Sequence, residues 1–170
     1  NIRIFNGKPL FIWSMLSAQK SKYIDQIYLS TDSKKINEIA KKNGFRINKL
    51  REKKLARDKA RSSDLISDIL YKVKKKFDFF ILLQPTSPLR RIRDIDFAIK
   101  KLINKRNNSL ISVNSFNNRI NGAIYIQNIN YFMKNKKFKY SDTLFYKMPK
   151  EKSIDIDTEK DFKNALKYNQ

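Results

Sequence analysis

Phe79-Phe80-Ile81-Leu82-Leu83-Gln84-Pro85-Thr86-Ser87-Pro88-Leu89-Arg90 is the stretch that decides how the chain folds. The unbroken apolar run from Phe79 to Leu83 predicts a strand at the centre of a parallel sheet, covered on both faces. The run stops at Gln84, and Pro85 and Pro88 then restrict the backbone as it leaves the strand. Such a turn presents the amide of Gln84 and the hydroxyls of Thr86 and Ser87 rigidly at the strand's carboxyl end. These groups suit a hydroxyl-rich ligand. The same residues read equally well as a plain proline-rich turn.

The flanking segments alternate between the two secondary-structure periods. Upstream, Leu65, Ile66, Ile69, Leu70 and Val73 recur at helical spacing, with Ser62 or Ser63 placed to cap the helix. Downstream, Ile95, Phe97, Ala98, Ile99, Leu102 and Ile103 make the next helix. Leu110 to Val113, Ala123 to Ile126 and Leu144 to Tyr146 are predicted strands, and Glu159 to Tyr168 is a closing helix. Nearer the start, Pro9 suits the first turn of a helix running to Ala18 and buried on most sides. Gln26 to Ser30 is a short predicted strand. It leads into the capping cluster Thr31-Asp32-Ser33 and a helix that stops at Asn43-Gly44. Phe45-Arg46-Ile47 is a further short strand. The alternation predicts one α/β domain over residues 1–170, Rossmann-like, with a mostly parallel sheet and helices on both faces. In such sheets ligands bind beyond the carboxyl ends of the strands.

Composition narrows the chemistry. The chain has 170 residues, with neither cysteine nor histidine. Thiolate metal sites, disulfides and histidine-based triads are therefore excluded. Catalysis must rest on carboxylates, cations, oxygen-bound metal or backbone amides. No apolar run reaches membrane-spanning length, and Asn1 to Phe5 lack a signal-peptide pattern, so a cytoplasmic location is expected. The net charge is +22. A polyanion partner is one reading. Compositional drift is the stronger one, because the cations lie in small groups among Asn and Ile and no dense like-charged block occurs. No specific nucleic-acid partner is expected.

Two further segments carry candidate chemistry. In Ser153-Ile154-Asp155-Ile156-Asp157-Thr158-Glu159 an extended backbone puts Asp155 and Asp157 on one side, opposite Ile154 and Ile156. Paired carboxylates repel unless a cation lies between them, and oxygen ligands suit Mg²⁺. The competing reading is that Asp157 or Thr158 caps the last helix. Arg51 and the stretch Leu55 to Asp64 place cations and hydroxyls before a helix N-terminus, where phosphate binds well. Read from the residues alone, a solvated basic loop is the stronger account of that stretch.

Taken in order, Asn6-Gly7-Lys8-Pro9-Leu10, Leu29-Ser30-Thr31-Asp32, Ala56-x-Asp58, Leu82 to Arg90, Asn121-Gly122-Ala123-Ile124-Tyr125-Ile126 and Ser153 to Phe162 resemble the acylneuraminate cytidylyltransferase family. The resemblance implies a nucleotide-diphospho-sugar-transferase (glycosyltransferase-A-type) fold. It also implies a reaction in which CTP activates a nonulosonic, sialic-acid-type sugar as its CMP derivative and releases pyrophosphate. By matching position it implies Asp155 and Asp157 as catalytic Mg²⁺ ligands. Asn1, Arg51 and Ser62 would lie on the nucleotide side, and Gln84, Thr86, Ser87, Asn121 and Tyr125 on the sugar side. It further implies a homodimer.

Two departures qualify these expectations. The family's first strand and basic Gly-Ser-Lys phosphate loop precede the residue matching Asn1. The family's dimerisation arm is shortened here to Asn114 to Ile120. The expectation is thus a truncated or degenerate copy of the enzyme, the alternative being a non-catalytic nucleotide-sugar-type binding or assembly domain.

Overall fold

The computed structural model describes residues 1–45 and 61–168. Arg51 and the expected strand at Arg46-Ile47 lie outside the described residues. The chain opens with a miniature hairpin, β1 (Ile4–Phe5) against β2 (Lys8–Pro9). Asn6 and Gly7 both have positive φ, 45° and 79°, as a two-residue hairpin turn of this hand requires. Pro9 ends β2 and is the residue before helix α1 (Leu10–Gln19), not its first member. That helix is buried on most sides, as its continuous apolar sequence predicts.

Helix α2 (Lys34–Lys42) starts where the hydroxyl of Ser33 accepts the Ile36 amide, and it ends at Asn43 before Gly44. Helix α3 (Ser62–Lys72) begins without a side-chain cap, so neither Ser62 nor Ser63 has the expected role. Gln26 to Ser30 belong to no strand among the described residues. The apolar signal was nevertheless real: Ile27 and Leu29 pack on Phe11, Ile12, Met15 and Ala40. A strand needs a hydrogen-bonded neighbour, and no described segment supplies one.

The main sheet has the order β3 (Phe79–Leu82), β5 (Ile120–Asn128), β4 (Ser109–Asn114), β6 (Leu144–Met148). The α/β class and the single layered sheet are as expected, but the sheet is mixed. Strand β5 runs antiparallel to both β3 and β4, while β4 and β6 are parallel. Three strands therefore share a direction and β5 opposes them. The reversal follows from connection length: residues 115–119 turn β4 back on itself as a hairpin, too short for a parallel crossover. Among the described residues β3 is an edge strand and half-buried, not the central strand its sequence suggests.

Helices cover both faces. Ile95, Ala98, Ile99 and Leu102 of α4 (Ile92–Asn104) pack on Leu110, Ala123, Ile124, Ile126 and Met148, with Phe79 and Ile81 alongside. Phe80, one residue out of phase, meets Phe132 of α5 (Ile129–Asn135) on the other face, ring centroids 4.8 Å apart. Phe97 and Ile103, expected in the α4 core face, are 58% and 50% exposed. They sit off the stripe that positions 95, 98, 99 and 102 define.

Beneath the Pro85–Pro88 turn, Phe5, Leu10, Leu89, Phe162 and Ala165 form a second cluster with Ile154 and Ile156. Phe162 and Ala165 come from α6 (Glu159–Leu166).

Candidate functional site

The site forms where the turn after β3, the start of β5 and the 153–157 segment meet. The turn is held by its own chain and by its neighbours. The Ser87 amide donates to the Gln84 carbonyl at 3.4 Å, and the Ile156 amide donates to the Thr86 carbonyl at 2.8 Å. That second bond brings Asp155 beside Thr86. Residues 154–157 form no strand, yet their alternation survives, because Ile154 and Ile156 are drawn into the apolar cluster under the turn. Asp155 is half-buried and Asp157 exposed.

Gly122 brings the parts into contact. Its φ is +71°, and a β-carbon there would lie 2.0 Å from Gln84 Oε1 and 3.1 Å from Asp155 Oδ2. The bare α-carbon is thus a seat on which the Gln84 amide and the Asp155 carboxylate converge. Only glycine accepts both the backbone angle and this close approach. Tyr125, two residues beyond Ala123, pairs across the ladder with Leu82. Its ring edge meets Phe138 at 5.5 Å between centroids. Partial burial raises the Tyr125 phenol above its usual range, and Asp155 adds to the effect.

Asp155 is electrostatically out of balance. Burial pushes its carboxyl above the usual range; the neighbouring Thr86 side chain pulls it down, and Asp157 and Asp161 push it up. Its Oδ1 is buried with no hydrogen-bond partner. Among the described residues no cluster of three or more acidic, histidine or cysteine side chains occurs. An unpartnered oxygen beside a second carboxylate is a donor set that fits a hard cation whose remaining ligands come from substrate phosphates and water. Thr158, not Asp157, caps α6. Its hydroxyl accepts the Asp161 amide at 3.2 Å, while Asp161 Oδ2 accepts the Thr158 amide at 2.9 Å.

Ser87 and Asn121 sit beneath the site with their polar groups engaged. Ser87 is fully buried and its hydroxyl donates to the Asn121 carbonyl at 3.3 Å. Asn121 Oδ1 accepts from Ser112 Oγ at 2.6 Å and from the Ala123 amide at 3.2 Å, and its Nδ2 donates to Ser153 Oγ at 3.1 Å. Asn121 therefore links β4, β5 and the start of the acidic segment.

Gln84, Thr86, Tyr125 and Asp155 are brought together, with Asp157 close enough to act on Asp155. Asn1 and Ser62 are exposed and make no side-chain hydrogen bond to this group among the described residues. The Asn1 carbonyl accepts the Phe11 amide at 3.3 Å.

Sequence reasoning gave no separate role to Gly122 or Arg90. Arg90 is 1% exposed. Its Nη1 donates to the Ala123 carbonyl and its Nη2 to Ser14 Oγ, both at 2.6 Å, while Nε has no partner. Burial lowers its pKa to about 10, with Asp94 acting the other way. The available signal was a cation immediately following Pro88-Leu89 at the end of an apolar strand and turn.

This arrangement sets the amide of Gln84 and the hydroxyl of Thr86, groups that suit a hydroxyl-rich molecule, beside carboxylate oxygens that suit a hard divalent cation. The sequence model of the family described as Cytidylyltransferase matches residues 1–169. The N-acylneuraminate cytidylyltransferase of Streptococcus agalactiae serotype V is 29% identical, over 98% of this chain and 48% of its own length. The CMP-N,N'-diacetyllegionaminic acid synthase of Legionella pneumophila is 36% identical over 59% of this chain and 44% of its own. The chain spans about half the length of these curated relatives. A Mycobacterium tuberculosis H37Rv protein solved in complex with manganese superposes with a TM-score of 0.68 at 11% identity, over 99% of this chain and 91% of its own. The chain belongs to the cytidylyltransferase family.

Proposed function

We propose that this chain is the nucleotide-and-sugar-binding unit of an enzyme that transfers CMP from CTP to the anomeric hydroxyl of a nonulosonic acid, releasing pyrophosphate. The observation that carries the reading is the convergence of Gln84 and Asp155 on the Gly122 seat, with Thr86 beside Asp155 and one Asp155 oxygen left without a partner. Gln84 and Thr86 supply amide and hydroxyl groups that suit sugar hydroxyls, and Tyr125 flanks them with its ring. Asp155 and Asp157 would hold Mg²⁺, which when bound offsets phosphate charge and polarises the α-phosphorus. The remaining contribution is positional: the turn and the seat align the attacking hydroxyl, which needs no histidine base in the chain. Arg51, Asn1 and Ser62 are assigned to the nucleotide by their place in the family pattern. The homodimer and a cytoplasmic location are assigned on the same ground.

The test is turnover of CTP by the full chain over a panel of sialic, legionaminic and pseudaminic acids, read as CMP-sugar and pyrophosphate. Stoichiometric formation of both products with at least one sugar is expected. Metal-dependent CTP binding without product from any of them would favour a non-catalytic binding domain.

A further inference from the structure

Arg90 carries a buried charge that no carboxylate neutralises by direct contact among the described residues. Asp94 is the nearby acid, but its oxygens are engaged by Lys152 Nζ at 3.0 Å, the Tyr146 hydroxyl at 3.4 Å and the Arg91 amide at 2.9 Å. The two Arg90 bonds instead run to Ser14, which meets Gln84, and to Ala123, which follows the Gly122 seat against which the Gln84 amide lies. On one side Nη2 donates to Ser14 Oγ at 2.6 Å, and Ser14 Oγ in turn donates to the Gln84 carbonyl at 3.2 Å. On the other side Nη1 donates at 2.6 Å to the carbonyl of Ala123, the residue after the Gly122 seat. A third contact closes the loop, since Ser17 Oγ donates to the carbonyl of Arg90 itself at 3.4 Å. The α1 helix, the turn and β5 are thereby joined around one residue.

We propose that Arg90 is a positioning residue for the sugar side of the site, fixing Gln84 from two directions so that its amide meets the substrate in a single geometry. This rests on the reading of Gln84 as a sugar contact. A purely structural role accounts poorly for the choice of residue. Burying a charge without a directly paired carboxylate carries a desolvation cost that an apolar side chain of similar volume does not. An apolar side chain cannot hold two carbonyl-linked groups at a set separation, whereas the guanidinium presents its donors in a rigid planar fork. Lysine has one rotatable point charge on a shorter, more flexible contact and cannot span both directions equally. Misplacement of a binding group by about 1 Å can cost about a hundredfold in rate, so a rigid fork behind the contact has kinetic consequences.

The experiment compares the full chain with Arg90→Met, Arg90→Lys and Ser14→Ala. Arg90→Met is expected to raise KM for the nonulosonic acid about tenfold while KM for CTP stays within about twofold. Arg90→Lys should recover only part of the loss. Ser14→Ala, which cuts the relay without removing the charge, should raise the sugar KM about threefold. Mere loss of folded protein would lower the apparent kcat and leave both KM values in place. Equal shifts in the two KM values, a change in apparent kcat alone, or full rescue by lysine overturns the proposal.

If Arg90→Met does not fold, the other two variants decide, and an unchanged sugar KM in both overturns it. If the wild type transfers CMP to no sugar, the proposed function falls, and the clamp is judged by backbone hydrogen exchange in Ser14→Ala. Faster exchange confined to residues 84–87 and 121–124 supports the positioning role. Unchanged or uniformly faster exchange overturns it.

Discussion

Gly122 has no side chain, and the Gln84 amide lies where a β-carbon would be. Gly122→Ala should therefore act twice. A non-glycine residue in the left-handed region costs roughly 1–2 kcal/mol. The new methyl must also displace Gln84 Oε1. A lowered melting temperature is expected together with weakened sugar binding, read by thermal denaturation and by calorimetry with the preferred nonulosonic acid. Asp155 should show the opposite balance. Its folded-state pKa is raised, so the folded chain binds the proton more tightly than the unfolded chain. The stability this proton contributes is present below the ordinary aspartate range and is lost as pH rises through the raised folded value. At neutral pH, in chelator, Asp155→Asn should thus melt higher than the wild type, with the advantage absent under acid conditions. The same variant should lose Mg²⁺-dependent CTP binding. Equal metal dependence in both proteins would remove Asp155 from the site.

At the scale of elements, Asn121 ties β4, β5 and the approach to the acidic segment through Ser112, Ala123 and Ser153. Asn121→Ala leaves several buried polar groups without partners, at about 1–3 kcal/mol each. A destabilisation of about 3 kcal/mol in urea denaturation is expected, with loss of activity tracking loss of folded protein. A stable variant with specifically weakened sugar binding would instead make Asn121 a direct contact. The acidic segment illustrates how far a pattern can be read. Its Ile/Asp alternation was legible, and the apolar half packs as the pattern demands. Its lack of a strand partner was not legible, because pairing depends on what lies alongside. For the same reason Phe79 to Leu82 reads as central yet lies at the edge of the described sheet. An apolar run reports burial of side chains, not the number of hydrogen-bonded neighbours.

At the scale of the molecule the charge of +22 sets the behaviour toward other polyanions. Lys136 stacks near Tyr71 and Phe132, and Lys150 near Phe116, so individual cations are engaged with aromatic rings. Duplex DNA should bind weakly, without sequence preference, and with a steep salt dependence that removes most of the affinity by about 200 mM. Competition titrations of two unrelated duplexes at several salt concentrations check this. A sequence-selective complex persisting at the higher salt would show a recognition surface. No described helix is long and apolar enough to cross a membrane.

The sequence by itself determined the α/β class, most of the helices, four segments that became strands, and a set of candidate residues whose order matches the family. Those features depend on local periodicity, turn chemistry and residue type, which are written along the chain. Only the tertiary structure decided the direction of β5, the edge position of β3, the seat at Gly122 and the unpartnered oxygen of Asp155. It also sorted Ser87 and Asn121 into the engaged layer beneath Gln84 and Thr86, and showed Arg90 clamping the turn from below. Each of these depends on contacts between segments far apart in sequence, where packing and hydrogen-bond geometry, not composition, choose the partner.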